Sequence, residues 1–319
     1  RMETIHYICF CSSSSLAYLL AIYRNMKILI GISSKQYSGP TLDVGMRIAS
    51  ILNSSTTILD VGQKISEFSY KDVSIANELM ESWDIDRPGV DVLEWAFEYL
   101  QKENYIKKQS NESSFSKNLL VDKGNGRSEV FLKGVAIKNL SLILRNGDII
   151  EELRDEVQSF NYDLTIIGGS GKRSMANDLI QYIDSSIFVV NNFNQKQKYR
   201  ILLAVDDSKN TGKALKFGVR VAQAFNIEVD LITISNDQDI SESLKKASDR
   251  AEKMMRRSGV RSKAQFVKGE LVDTLVDFAK EDHIIIMGKS SHSPITKFFL
   301  GSKPLEVMQS CQCPVLIVK

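Results

Sequence analysis

Gly288, Ser291, Gly301 and Ser302 stand at a spacing that can hold an anion. They follow a short apolar run, residues 283–287 (HIIIM, ending in Met287), that predicts a buried strand, and they lead into a helical pattern over residues 302–311. A glycine at a strand end permits positive φ and lets the backbone approach a ligand with no Cβ in the way. Glycine and serine at a helix start add free N–H donors, a hydroxyl and the positive end of the helix dipole. Strand, glycine loop and helix start together are how α/β folds present backbone N–H groups to a phosphate. Asp206 closes another apolar run, residues 200–205 (RILLAV), and is expected beside this loop at the carboxyl edge of the sheet. A carboxylate there can accept hydrogen bonds from an adenine amino group or a ribose hydroxyl. No general base or metal-carboxylate pair accompanies the loop, and His292 is its sole candidate for proton transfer.

The elements that must position these residues come from an ordinary globular composition. The chain has 319 residues, which suggests about two domains, and 43% hydrophobic with 25% charged residues is enough for sizeable cores. Net charge is +2 with both signs mixed along the chain, which is not the concentrated basic footprint of a nucleic-acid binder. The four cysteines fall as two C-x-C pairs, Cys9/Cys11 and Cys311/Cys313. They are too few and too local for a disulfide framework, so a reducing, cytoplasmic setting is the expectation. No His or Asp cluster accompanies either pair, so burial of small apolar thiols is expected rather than a metal site. Residues 16–23 (LAYLLAIY) fall far short of the roughly twenty apolar residues that span a bilayer, so no membrane partner is expected. Residues 1–25 are expected to form an N-terminal extension outside the fold, which begins with the strand at Met26.

The chain repeats itself. Residues 27–62 lie on residues 200–235 without a gap: KILIGIS on RILLAVD, Gly45–Ala49 (GMRIA) on Gly218–Ala222 (GVRVA). Further on, residues 145–153 match 267–275, residues 162–171 match 282–291, and SSIFVV (185–190) matches CPVLIV (313–318). A self-match at so many separated points marks duplication of one domain. Each copy alternates strand and helix, and its strands are continuously apolar, which means burial on both faces and a largely parallel sheet covered by helices. The fold class is therefore α/β, with two tandem five-stranded, mostly parallel, doubly wound domains. Their expected bounds are 26–192, with an insertion near 105–138, and 199–319, joined by a polar linker at 193–198. In the second copy a helix is expected at about 240–258, with Leu244, Ala247, Ala251 and Met254 on its inner face and Gly259 closing it. In the first, a helix at about 91–104 turns Leu93, Phe97 and Leu100 inward, and Lys123-Gly124-Asn125-Gly126 predicts a hairpin.

The second copy resembles the universal stress protein family over essentially its whole length. ATP-binding members of that family carry Asp after the first strand and G-x2-G-x9-G-[ST] after the fourth. Asp206, Gly288, Gly301 and Ser302 stand at those places, and Ser291 replaces the second glycine. The resemblance implies a Rossmann-like fold of the adenine-nucleotide α-hydrolase type. It also implies that Val205, Asp206 and Ile234 border an adenine, and that Met287, Gly288, Ser291, His292, Gly301 and Ser302 hold ribose and phosphates of ATP or AMP. The first copy resembles the family less well. Ser33 stands where Asp206 should be, and after Gly168 and Gly171 the loop is cut short, with Ser174 only three residues on. The run GGSGKRS (168–174) lacks the first glycine of a Walker motif, and Ile166 stands in its place. The first copy is a degenerate partner domain.

The last strand of each copy would lie at a sheet edge with unpaired backbone groups, and such edges are normally covered. In the family this strand pairs across a dimer, so an intramolecular pseudo-dimer is expected, with a further homodimer left open. The functional reading is an adenine-nucleotide-binding stress or regulatory module whose occupancy biases an unidentified protein partner. A scaffold that binds no nucleotide is the alternative reading. A weak ATPase relying on His292 is the third.

Overall fold

The computed structural model describes residues 26–63, 89–106, 120–130, 139–169, 182–236, 239–289 and 302–319. Apolar runs form the strands except the polar edge strand β10 (Ser262–Lys268): β1 (Lys27–Ile32), β2 (Ser55–Gly62), β5 (Leu140–Asn146), β6 (Leu164–Gly168) and β7 (Ser186–Val190) in the first half. The second half has β8 (Arg200–Ala204), β9 (Val229–Ser235), β10 (Ser262–Lys268), β11 (His283–Gly288) and β12 (Val315–Val318). A hairpin of β3 (Leu120–Asp122) and β4 (Arg127–Val130) turns at residues 123–126, with Gly124, Asn125 and Gly126 all at positive φ, and adds β4 antiparallel to β5. The helices among the described residues are α1 (Gly39–Leu52), α2 (Val90–Lys102), α3 (Ile149–Phe160), α4 (Lys209–Phe225), α5 (Glu242–Arg257), α6 (Leu271–Ala279) and α7 (Ser302–Ser310). None of them is long and apolar enough to cross a membrane.

All twelve strands join in one sheet of order β10-β9-β8-β11-β12-β7-β6-β1-β2-β5-β4-β3. Read outward from the centre, each half has the same doubly wound order, and within each half the five repeated strands are parallel. The halves meet where β12 pairs antiparallel with β7, Leu316 opposite Phe188. The expected mutual covering of these two edges is what the sheet contains, so the first half is a partner domain in the literal sense. One apolar core lies on each face, and both run continuously across the seam.

The duplication is visible atom by atom. A Cβ on Gly45 would stand 2.4 Å from the Cδ1 of Ile30, and a Cβ on Gly218 would stand 2.4 Å from the Cδ1 of Leu203. These are the same two positions in each repeat, so each helix lies on its first strand through a missing side chain. α1 and α4 also end alike, on Asn53 and Asn226 in the left-handed region at φ 48° and 52°. The two helices pack on each other across the seam, where the Arg47 guanidinium lies 5.6 Å over the Phe225 ring. The polar stretch 193–198 is fastened there. Phe193 stacks on Tyr199 and meets Phe225 edge-on, the Gln195 amide donates to the buried Asp43, and the Gln197 amide donates to the Glu281 carbonyl. Asp43 also accepts from the Tyr99 hydroxyl at 2.8 Å, which gives a carboxyl raised by burial several donors.

One helix buries a wider face than expected. On α5 the fully buried methionine is Met255, with Ala247, Ser248 and Ala251, while Met254 is only half-buried. The inner face keeps the predicted Ala247 and Ala251, with Met254 packed at its margin, and is wider than predicted by Ser248 and Met255. Ser248, a polar residue, takes a place that hydrophobicity alone would not assign. The Ser241 hydroxyl caps the helix start, and Gly259 at φ 69° follows its end.

Candidate functional site

In the second half the strand order reverses between β8 and β11, and open α/β sheets bind ligands in the crevice beyond the carboxyl ends of the strands at such a point. The chain leaving β8 delivers Val205 and Asp206 to this edge. The Val205 amide still donates to Ile232 of β9 at 2.8 Å, which continues the ladder one residue past the strand. Asp206 is exposed, but its carboxylate is not loose. Its Oδ1 accepts from the Ser208 amide at 3.0 Å and from the Thr211 hydroxyl, while that hydroxyl accepts from the Asp206 amide at 3.2 Å. Thr211 is buried in the first turn of α4, so the reciprocal pair fixes the carboxylate close to a helix N-terminus, the favourable end for a negative charge. Oδ2 makes no bond among the described residues. Sequence reasoning missed Thr211. Its only signal was a hydroxyl five residues after the aspartate, at the start of a predicted helix.

The chain leaving β11 delivers the buried Met287 and then Gly288. Here the glycine has a role that the sequence reading did not give it. A Cβ at Gly288 would stand 3.0 Å from Asn210 Cβ and 3.1–3.2 Å from the Asn210 carbonyl group, so the first turn of α4 rests on the bare strand end. The Asn210 amide then donates to the Lys289 carbonyl at 2.7 Å, and the Lys289 amide donates to the Val318 carbonyl. The glycine thereby locks the two walls of the crevice together. Asp206, Met287 and Gly288 thus share this edge, with Ile234 on the next strand outward. Val205 belongs to the core under α4 and α5, whereas Met287 and Ile234 face α6 and α7. Ser291, His292 and Gly301 lie outside the described residues, and Ser302 is the first residue of α7. Beside Val205, the buried Thr233 hydroxyl has no hydrogen-bond partner among the described residues.

The first half is built differently at the same places. The loop after β1 closes on itself, with the Ser33 and Ser34 amides both donating to the buried Ser38 hydroxyl at 3.1 and 3.2 Å. At Gly169 a Cβ would fall on the Asn191 side chain, so chain fills the space beyond β6. Gly171, Lys172, Arg173 and Ser174 lie outside the described residues. The repeat position of Thr233 is Asp60, which is buried under the start of α2. There Gly89, at φ 99°, leaves no room for a Cβ against the Asp60 carboxylate and Leu144. Burial, reinforced by Asp91, pushes the Asp60 carboxyl up to about 7. Because this pKa is raised on folding, the stability it contributes is complete below the unfolded value of about 3.9 and is lost as pH rises through about 7. Urea midpoints of Asp60→Asn and the parent should therefore diverge between these limits. The parent should lose up to about 1.4 kcal/mol more per pH unit. Parallel profiles would refute the assignment.

Fold and edge define the class: a tandem doubly wound α/β protein with an exposed, braced aspartate at the switch point of its second half. The model of the universal stress protein family matches residues 199–319. Universal stress protein MJ0531 of Methanocaldococcus jannaschii is 29% identical, over 38% of this chain and 81% of its own. Universal stress protein YxiE of Bacillus subtilis is 24% identical, over 38% of this chain and 98% of its own. A solved universal stress protein from Archaeoglobus fulgidus DSM 4304 is similar in fold over 93% of this chain and 98% of its own, with a TM-score of 0.55 and 15% identity. Residues 199–319 are thus similar in sequence to the universal stress protein family, and nearly the whole chain is similar in fold to one of its solved members.

Proposed function

We propose that the second half binds an adenine nucleotide, ATP or AMP, at the β8/β11 switch point, and that occupancy regulates the binding of a protein partner in a stress response. The observation that carries this reading is the Asp206 carboxylate, exposed at the crevice with Oδ1 held by Thr211 and Ser208 and Oδ2 making no bond among the described residues. A fixed acceptor of this kind suits an adenine amino group or a ribose hydroxyl, because no ordering of the side chain is required on binding. Val205, Ile234, Met287, Gly288, Ser291, His292, Gly301 and Ser302 complete the proposed site, with the last four serving ribose and phosphates. The first half takes no nucleotide in this reading, because Ser33 offers no carboxylate and its loop is closed on Ser38.

Displacement of a fluorescent ATP analogue by ATP and AMP tests the proposal, and loss of the brace provides a graded control. Thr211→Val should weaken binding roughly tenfold, as expected for losing one hydrogen bond to a charged group, while Thr211→Ser should bind like the parent. Equal affinity in all three would show that the carboxylate is not the anchor. The scaffold reading is favoured by one observation, the seating of Asn210 on Gly288, which gives that glycine a reason to exist without any ligand.

A further inference from the structure

The Cys311/Cys313 pair lies away from the proposed nucleotide crevice, at the opposite end of β12. Both thiols are free and buried in the core between the sheet and helices α6 and α7. Their positions are unequal. Cys311 is held at the end of α7 by its amide, which donates to the Val307 carbonyl at 2.9 Å. Cys311 lines a cleft of about 570 Å³ between the ends of α6 and α7, whose walls also carry Lys280, Glu281, Asp282, Ser310 and Gln312. Cys313 is 1% exposed and has no share in that cleft, and its carbonyl accepts from the Asn191 amide of the first half. The two side chains hydrogen-bond each other. That bond holds the Cys311 thiol below its usual range, and together with burial it pushes Cys313 up. Cys311 therefore borders a cleft that carries one lysine and two carboxylates, and Cys313, two residues on, lies deeper in the same core.

We infer that Cys311 and Cys313 form a two-electron thiol pair that a small hydroperoxide oxidises, with Cys311 as the attacking sulfur and Cys313 as the resolving one. The Cys311 thiolate attacks the terminal peroxide oxygen, the O–O bond breaks, and the departing alkoxide or hydroxide takes up a proton. Cys311 is then a sulfenic acid. The Cys313 sulfur attacks the Cys311 sulfur, the S–O bond breaks, and the hydroxyl leaves as water with the Cys313 proton. The sum is two thiols and one hydroperoxide going to one disulfide, one water and one alcohol or second water. The inference does not depend on nucleotide binding.

The test uses the full chain treated with hydrogen peroxide, alkylated after denaturation and digested with trypsin. The peptide of residues 298–319 contains these two cysteines and neither Cys9 nor Cys11. In the parent protein this peptide should lose two hydrogens and resist alkylation until reduced. In Cys313→Ser, dimedone should label Cys311, and in Cys311→Ser it should label nothing in the peptide. Two alkylated cysteines in the peroxide-treated parent would overturn the inference, and this result needs no variant to fold. Dimedone on Cys313 in the Cys311→Ser protein, at the rate seen for Cys311, would overturn the assignment of roles.

Discussion

Glu156→Ala should destabilise the protein by about 3–5 kcal/mol, the cost of removing one member of a buried ion pair and leaving the others charged. Glu156 is wholly buried, and its carboxylate takes the Arg127 Nε at 3.2 Å, the Arg145 Nη1 at 3.1 Å and the Tyr162 hydroxyl at 3.0 Å. Arg145, itself buried, also donates to Glu152 at 2.6 Å and to the Asn125 carbonyl in the hairpin turn. The network thus ties the β3–β4 hairpin, through Arg127 and Asn125, to β5 and α3. Without Glu156, two guanidinium groups lose their shared counter-charge in a place that water reaches poorly. Urea unfolding measures the loss as a fall in midpoint at constant slope. Amide exchange should show the hairpin strands opening first, since they depend on these bonds. A loss below about 1 kcal/mol would mean that the pair is solvated and adds no more than a surface bridge.

That network explains what the sequence could and could not tell. Where the first repeat has Arg145 and Glu156, the second has Val267 and Phe278, and Phe278 is exposed. The substitution is plain in the alignment, but its purpose requires the hairpin to be placed over β5, and strand pairing across an insertion is not a local property. Continuous apolar runs were enough to find the inner strands, because burial on both faces leaves no polar alternation, whereas the edge strand β10 (SKAQFVK) has no such run and no buried residue. That β7 and β12 pair followed from two apolar edges needing cover, while the antiparallel sense of the pairing did not. The width of a helix face was less secure: with methionines adjacent at 254 and 255, periodicity cannot say how far burial extends, and packing against Gly218 and its neighbours takes in Met255. At the candidate site, Asp206 and Gly288 were legible from type and spacing. Thr211 and Asn210 were not, because each acts through a contact made only once α4 is laid across the strand ends.

Asp206→Ala should weaken adenine-nucleotide binding by about 1.5–3 kcal/mol, or roughly ten- to a hundredfold, the usual range for a hydrogen bond to a charged partner. The fold should be little affected. Asp206 is exposed, and its carboxylate bonds lie within one turn, to Ser208 and Thr211. Loss of the carboxylate does leave the Thr211 hydroxyl accepting from the Asp206 amide, so the α4 start keeps one of its ties. A fall in affinity with an unchanged melting temperature therefore separates a ligand contact from a structural one.

The most direct test of the central claim is titration calorimetry of ATP and AMP into the intact protein, with Asp206→Ala alongside. Saturable heat with one site per chain in the parent, and none or a much weaker isotherm in the variant, is the predicted result. No heat from the parent at tens of micromolar protein would contradict nucleotide binding and leave the scaffold reading. Equal isotherms from both proteins would place the nucleotide away from the β8/β11 crevice.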